Sequence, residues 1–224
     1  MNHNGRVTVF TPLPRDFFEH PVRQLAPRLL GCHLVAGEVA IRITEVEAYD
    51  GADDPGSHAY KGKTARNATM FGDAGHLYIY RHMGLHSCCN IVCSTKDHAN
   101  GCLVRAGEVV AGLEEARARR SAAGVTRKDR DLAQGPGRLT VALGITYLDD
   151  GLDLCDPASG VFLADRVDPA PRIITTPRIG LRPEATDPEH LWLRYYVEDD
   201  PTVSGRRPAA GRFRAWQAPT EPPR

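Results

Sequence analysis

From position 39 to position 49 the chain reads VAIRITEVEAY, and this stretch limits the possible folds more than any other. Its apolar and polar residues exchange places almost step by step, the two-residue period of a β-strand rather than the 3.6 of a helix. On strict alternation Ile41, Ile43, Glu45, Glu47 and Tyr49 share one face, and Arg42, Thr44, Val46 and Ala48 share the other. Two carboxylates on the face that otherwise carries isoleucines conflict with a plain core strand. A conflict of this kind between local rules marks a place where function is expected.

The strand has neighbours. A short apolar run at 32–35, followed by a turn at Gly37, completes a hairpin with it. Upstream, 21–30 reads as a short helix, with Pro21 at its first position, Val22, Leu25, Ala26, Leu29 and Leu30 apolar, and Gly31 as the stop; Pro27 lies inside it. Residues 1–20, with their prolines and aromatics, read as an irregular lead-in, and 50–75, rich in Gly, Asp, Lys and Asn, as loop. Strands are expected at 77–81, 87–93 and 102–110, helices at about 111–122 and 136–143, and further strands near 160–165, 171–176 and 191–197. The second of those helices opens on Gly135-Pro136-Gly137. Strands and helices without regular alternation predict an α+β fold: a single domain with a largely antiparallel, curved β-sheet core flanked by helices. Residues 1–205 are expected to form it, and 206–224, RRPAAGRFRAWQAPTEPPR, to be a poorly ordered Pro- and Arg-rich tail.

A chain of 224 residues, 42% hydrophobic, can bury a core without covalent staples. No run approaches the roughly 18 consecutive apolar residues of a membrane span. The opening MNHNGRVTVF has no apolar signal-peptide core, so the cytoplasm, with no membrane partner, is the expected location. Cys32, Cys88, Cys89, Cys93, Cys102 and Cys155 are then expected as reduced, buried thiols. The 28 Lys and Arg balance 28 Asp and Glu, which excludes a general sheath of positive potential. Cations cluster locally instead: Arg117, Arg119, Arg120, Arg127, Lys128 and Arg130 stand against Glu114, Glu115 and Asp129.

The residues that suit chemistry lie in 45–90. Glu47, at a strand end, can form the floor of a pocket and take a proton from water. Tyr49, two residues on, brings an aromatic ring to the same face. His58, Tyr78, Tyr80 and Asn90 follow, with Lys61, Lys63 and Arg66 crowding the loop before Asn67. Together they supply a general base, aromatic walls for a flat ligand and cations for phosphate, as an enzyme handling a nucleobase requires. Lys61, Lys63, Arg66 and Arg138 suit phosphate contacts, the last at a helix start. Arg66 and Asn67 equally suit pinning the loop through backbone groups. A metal site is the rival reading, since His82 and His86 stand four apart with Cys88, Cys89 and Cys93 close behind. Adjacent cysteines and the strand patterns of LYIYR and CCNIVC argue against it, so neither metal nor cofactor is expected.

TEVEAYDGADDPGSHAYKGKTARNATMFGDAGHLYIYRHMGLHSCCN resembles the core of the alkyladenine (3-methyladenine) DNA glycosylase family. PRLLGCHLV before it, and CLVRAGEVVAG, KDRDLAQGPGRLTVALGI and LWLRYYVEDDPTVSG after it, resemble the same family in the same order, over about 11–204. The resemblance implies a monofunctional DNA glycosylase that hydrolyses the N-glycosidic bond of alkylated purines in base-excision repair. Its partner would be double-stranded DNA containing damaged purines, and a monomer is expected. In that pattern Glu47 matches the general base that activates the attacking water, and Arg105 an arginine beside that water. Tyr49, His58 and Tyr80 match residues enclosing a flipped base, and Asn90 the asparagine that crowds a purine bearing a 2-amino group. Where the family has a tyrosine that wedges into the duplex, this chain has Met83; a Met or Leu wedge can still unstack a step. His82 and His86 also depart from the pattern. Two other readings use the same residues: a damaged-DNA-binding module without turnover, and a bifunctional glycosylase/lyase attacking through Lys61 or Lys63.

Overall fold

The computed structural model describes residues 9–181, 187–205 and 213–217, and builds one sheet around the strand singled out above. The hairpin is β1 (His33–Ala36) and β2 (Val39–Asp50), joined through Gly37 at a φ of 58°. β3 (Leu77–His82), β4 (His86–Cys93) and β5 (Asn100–Ala111) form a meander that delivers β5 to one edge of β2. On the other edge β2 pairs first with β1, which carries β6 (Val161–Ala164), and then with β8 (Arg194–Val197), which carries β7 (Ile173–Thr176). All pairings are antiparallel. The fold is α+β, as the mixed pattern of the sequence predicts.

Among the described residues four α-helices accompany the sheet: α1 (Val22–Arg28), α2 (Leu113–Ala123), α3 (Pro136–Leu143) and α4 (Pro188–Leu191). α1 buries Val22, Leu25 and Ala26, the three- and four-residue spacing of one helical face. α2 starts behind Gly112 at a φ of 67°, where an added Cβ would come within 2.5 Å of the Glu38 carbonyl oxygen; only glycine fits. α3 has Pro136 at its start and Gly144, in the left-handed region, at its end. α4 escapes sequence reading, because four residues carry no periodicity.

The central observation concerns register between β2 and β5. Ile43 pairs with Gly107 and Glu45 with Ala106, so Thr44 is an extra residue in β2; Val46 then pairs with Val104, so Arg105 is an extra residue in β5. Such bulges re-aim the side chains beyond them. Before the bulges Ile41 and Ile43 lie in the main core, and beyond them Val46 and Ala48 do. Glu45, Glu47 and Tyr49 consequently turn to the opposite face. Strict alternation, which set these three beside the isoleucines, is corrected here, and the conflict in the sequence disappears with it.

The core is aliphatic, with Leu25, Leu29, Leu30, Leu34, Ile41, Ile43, Leu77 and Ile91 fully buried. Each such side chain contributes about 1.5–3 kcal/mol relative to an exposed one. Five of the six cysteines are buried, Cys155 is half-buried, and all are free thiols. Burial pushes Cys32 and Cys89 up to about 12, so both stay protonated. In the segment expected to be a poorly ordered tail, Arg214–Ala215 forms a ninth strand, β9, paired with β7, and Trp216 packs on the core. The rest of that segment, 206–212 and 218–224, lies outside the described residues, as do residues 1–8 of the lead-in. Among the described residues no helix is long and apolar enough to cross a membrane.

Candidate active site

Beyond the bulges, the face of the sheet turned away from the main core floors a cavity of about 390 Å³. That lies within the roughly 300–1,000 Å³ of small-molecule sites. Tyr49 from β2, Tyr78 and Tyr80 from β3, Asn90 from β4, and Leu103 and Arg105 from β5 line it. His58 reaches in from the loop between β2 and β3. The His58 and Tyr80 rings meet edge to face, 4.5 Å apart at 78°, and Tyr78 and Tyr80 lie 6.1 Å apart at 30°. These rings leave aromatic surface free for a planar guest.

His58 is placed by two contacts. Its Nδ1 lies 3.1 Å from the Tyr78 hydroxyl, and its carbonyl accepts a bond of 2.9 Å from the Asn67 amide. Asn67 also caps Thr64 and reaches the Gly62 carbonyl, so it, rather than Arg66, pins the loop. Partial burial, with Arg66 and His82 nearby, holds the His58 imidazole below its usual range and therefore neutral at pH 7. Burial pushes Tyr78 up to about 12, so its phenol remains protonated and able to donate. Asn90 is 5% exposed and donates to the Tyr78 carbonyl at 3.2 Å, which fixes its amide at the cavity wall.

Glu47 lies just under the floor with no exposed surface. Its Oε2 accepts from the Tyr49 hydroxyl at 3.0 Å and from Arg105 Nη1 at 3.1 Å, and its Oε1 from the Ile179 backbone N–H at 2.7 Å. A carboxylate offers about four acceptor positions, so these three bonds leave one for a further donor. Burial opposes the charge of Arg105, but Glu47 and Glu45 outweigh it and raise its pKa, so the guanidinium remains charged. Tyr49 is held well above its ordinary value by burial and by the Glu47 charge, and stays a hydrogen-bond donor.

Several parts of the site carry no assigned role in the sequence. Glu45, the second carboxylate beyond the bulge, is buried against Arg105 and Arg194. Ile179, Gly180 and Leu181, which follow β7, wall the cavity above Glu47. This segment is anchored by Arg178, whose guanidinium makes two bonds to Asp54, at 2.5 and 2.7 Å, and one of 2.9 Å to the Ala48 carbonyl. The same guanidinium lies 4.6 Å from the centre of the Tyr49 ring. Asp54 and Arg178 are 124 positions apart, and nothing local in the sequence couples them.

The remaining sequence-predicted residues lie outside the cavity. Lys61, Lys63, Arg66 and Arg138 are exposed and do not line it. Met83 sits at the tip of the β3–β4 hairpin, 82% exposed, with Leu85 beside it at 79%. Met83 and Gly84 both have positive φ, 51° and 71°, which makes a tight hairpin turn that pushes the methionine outward. His82 and His86 face one another across the base of this hairpin; His82 reaches the cavity rim and His86 packs against Gly137 at the start of α3. Among the described residues no group of three or more His, Cys, Asp or Glu side chains is arranged to hold a metal ion.

Comparison with known proteins gives a consistent result. The sequence model of the methylpurine-DNA glycosylase (MPG) family matches residues 16–201. A Streptomyces avermitilis protein is 45% identical over 210 residues, which span 91% of this chain and 96% of that one. A Corynebacterium glutamicum protein is 46% identical over 195 residues (87% and 97%), and one from Leifsonia xyli subsp. xyli is 45% identical over 204 residues (88% and 94%). All three bear the name "Putative 3-methyladenine DNA glycosylase".

Proposed function

The chain belongs to the methylpurine-DNA glycosylase family, and from that premise we propose that it removes methylated purines from DNA by flipping the base and attacking the sugar with water activated by Glu47. Family membership makes it a hydrolase of N-glycosyl bonds, a DNA-3-methyladenine glycosylase of base-excision repair. The observation that carries the mechanism is the buried Glu47–Arg105 pair under an aromatic cavity, with one acceptor position on the carboxylate still to fill.

A purine inside a duplex cannot reach such a cavity, so it is rotated out of the stack. Tyr49, His58 and Tyr80 then enclose it, and Asn90 with Leu103 limits its edge. Methylation at a ring nitrogen leaves the purine cationic, and the electron-rich faces of tyrosines attract it. Water held on Glu47 adds to the anomeric carbon while the glycosidic electron pair leaves with the base. Glu47 takes the proton, and its charge, oriented by Arg105, stabilises the oxocarbenium character of the sugar. The cationic base departs neutral and needs no proton from the enzyme.

The direct test is release of free base from a duplex oligonucleotide carrying one methylated purine, with borohydride present in a parallel reaction. Free base without a trapped protein–DNA adduct is expected. A trapped adduct would replace the water mechanism with attack by an amine, for which exposed Lys61 and Lys63 are the candidates. Binding without release would leave a damage-recognition module.

Two further outcomes are expected. Tyr80→Ala or His58→Ala loses a stacking surface worth roughly 1–3 kcal/mol per base, so lesion affinity and base release fall together. Undiminished affinity in a titration with lesion duplex removes these rings from the base pocket. Met83→Ala keeps the left-handed turn and shortens only the side chain, so it weakens duplex binding about tenfold, or about 1.4 kcal/mol, and single-strand binding less. The reverse ranking rules out a wedge at this position.

A further inference from the structure

We infer that Glu45, which has no surface on the cavity, is a positioning residue: it fixes the Arg105 guanidinium against Glu47 and sets the charge that Glu47 experiences. The inference rests on the glycosylase reading above.

Glu45 is fully buried and accepts three bonds: Arg105 Nε at 3.0 Å and Arg194 Nε at 2.7 Å on Oε1, and the Ser204 N–H at 2.6 Å on Oε2. Arg194 is itself locked, with Nη1 on the Thr176 hydroxyl at 3.2 Å and Nη2 on the Ser204 carbonyl at 2.9 Å. Arg105 is thereby held at two points, Nε by Glu45 and Nη1 by Glu47, while Nη2 has only a long contact of 3.5 Å to Ser204 Oγ. Without Glu45 the long arginine side chain has one carboxylate to follow instead of two. It is then free to swing Nη1 away from Glu47, or to draw Glu47 with it.

Charge points the same way. Glu45 and Glu47 are matched by Arg105 and Arg194, and Arg194 stands directly across the β2–β8 ladder from Glu47. The other groups facing the pair are Cys102 on β5, Tyr196 on β8, Tyr49 on β2, Tyr80 on β3 and Arg178 after β7. Burial keeps the Cys102 thiol and the Tyr49 and Tyr80 phenols uncharged, and Asp54 matches Arg178. Neutralising Glu45 leaves Glu47 facing two guanidiniums without a second carboxylate. The two cations are then no longer shared, and both pull on the Glu47 carboxylate. Stability alone explains the arrangement less well, because desolvation of buried ion pairs largely offsets their attraction.

The test is the single-turnover rate of base release from a methylated duplex, with binding of the same duplex measured alongside. Glu45→Gln is expected to slow release about 10- to 100-fold, since a displacement of about 1 Å in a site costs about 10²-fold. Its binding stays unchanged, so the loss falls on the chemical step. Glu45→Asp keeps the charge but withdraws it by one methylene, so release slows less. A folded Glu45→Gln with the wild-type rate overturns the inference. So does one whose binding and release fall in step, which is the mark of a packing role. If Glu45→Gln fails to fold, Glu45→Asp decides alone, and a wild-type rate there is fatal. Glu47→Gln is run in parallel. Turnover by that variant defeats the underlying mechanism, whereas its loss beside wild-type Glu45 variants defeats only this inference.

Discussion

Glu47→Gln is expected to bind methylated duplex as the wild type does and to release base about 10²- to 10⁴-fold more slowly, the range typical of lost general-base catalysis. Glutamine preserves volume and can keep its oxygen where Oε2 accepts from Tyr49 and Arg105. Its amide nitrogen then falls where Oε1 accepted the Ile179 N–H, so two donors confront each other. A stability loss of about 1–3 kcal/mol accompanies that mismatch. A melting curve taken with the kinetics separates the two effects. Near-normal single-turnover release by folded protein would remove Glu47 from the chemistry.

Asp54→Ala is expected to produce the largest loss of stability. Asp54 and Arg178 are both fully buried, and removal of one partner leaves an uncompensated guanidinium, at a cost of about 3–5 kcal/mol. In a chain of this size that lowers the melting temperature by about 6–20 °C. The damage reaches the site directly. Asp54 also accepts from the Asp50 and Gly56 N–H groups, and Arg178 carries both the Tyr49 ring and the segment whose amide holds Glu47. Substituting both partners with apolar residues of similar volume recovers part of the lost stability, but the cavity wall above Glu47 loosens and base release stays low. A melting temperature for Asp54→Ala within about 2 °C of wild type, equivalent to less than about 1 kcal/mol, would mean the pair is solvated.

Local pattern carries much of the fold. Alternation marks the strands at 77–81, 87–93 and 102–110, and the proline and glycine punctuation of 136–143 marks α3; each forms with its ends shifted by at most a few residues. The sequence also groups Tyr49, His58, Tyr80, Asn90 and Arg105, which line one cavity, although Arg105 lies on a different strand from each of the others. What it conceals depends on pairs of distant residues. The bulges at Thr44 and Arg105 are defined only by the register between two strands; β2 alone shows the conflict of its carboxylates, but not which residue is the extra one. Asp54 with Arg178, and Glu45 with Arg194, meet because β7 and β8 return to β2 after more than a hundred residues. The surface cations at 61, 63, 66 and 138 show the opposite limit: their residue types suit phosphate, yet nothing in a lone sequence fixes where they stand relative to the pocket.

The two extra residues in β2 and β5 occur at the same level of the sheet, so the strands leave the irregularity still aligned. Removal of Thr44 alone would turn this part of β2 into an unbroken alternation, with Ile41, Ile43, Val46 and Ala48 still toward the core and Glu45, Glu47 and Tyr49 still toward the pocket. The acidic pair owes its position to a count of residues: Ile43 and Glu45 stand two apart in the chain yet on opposite faces, because the ladder passes over the residue between them.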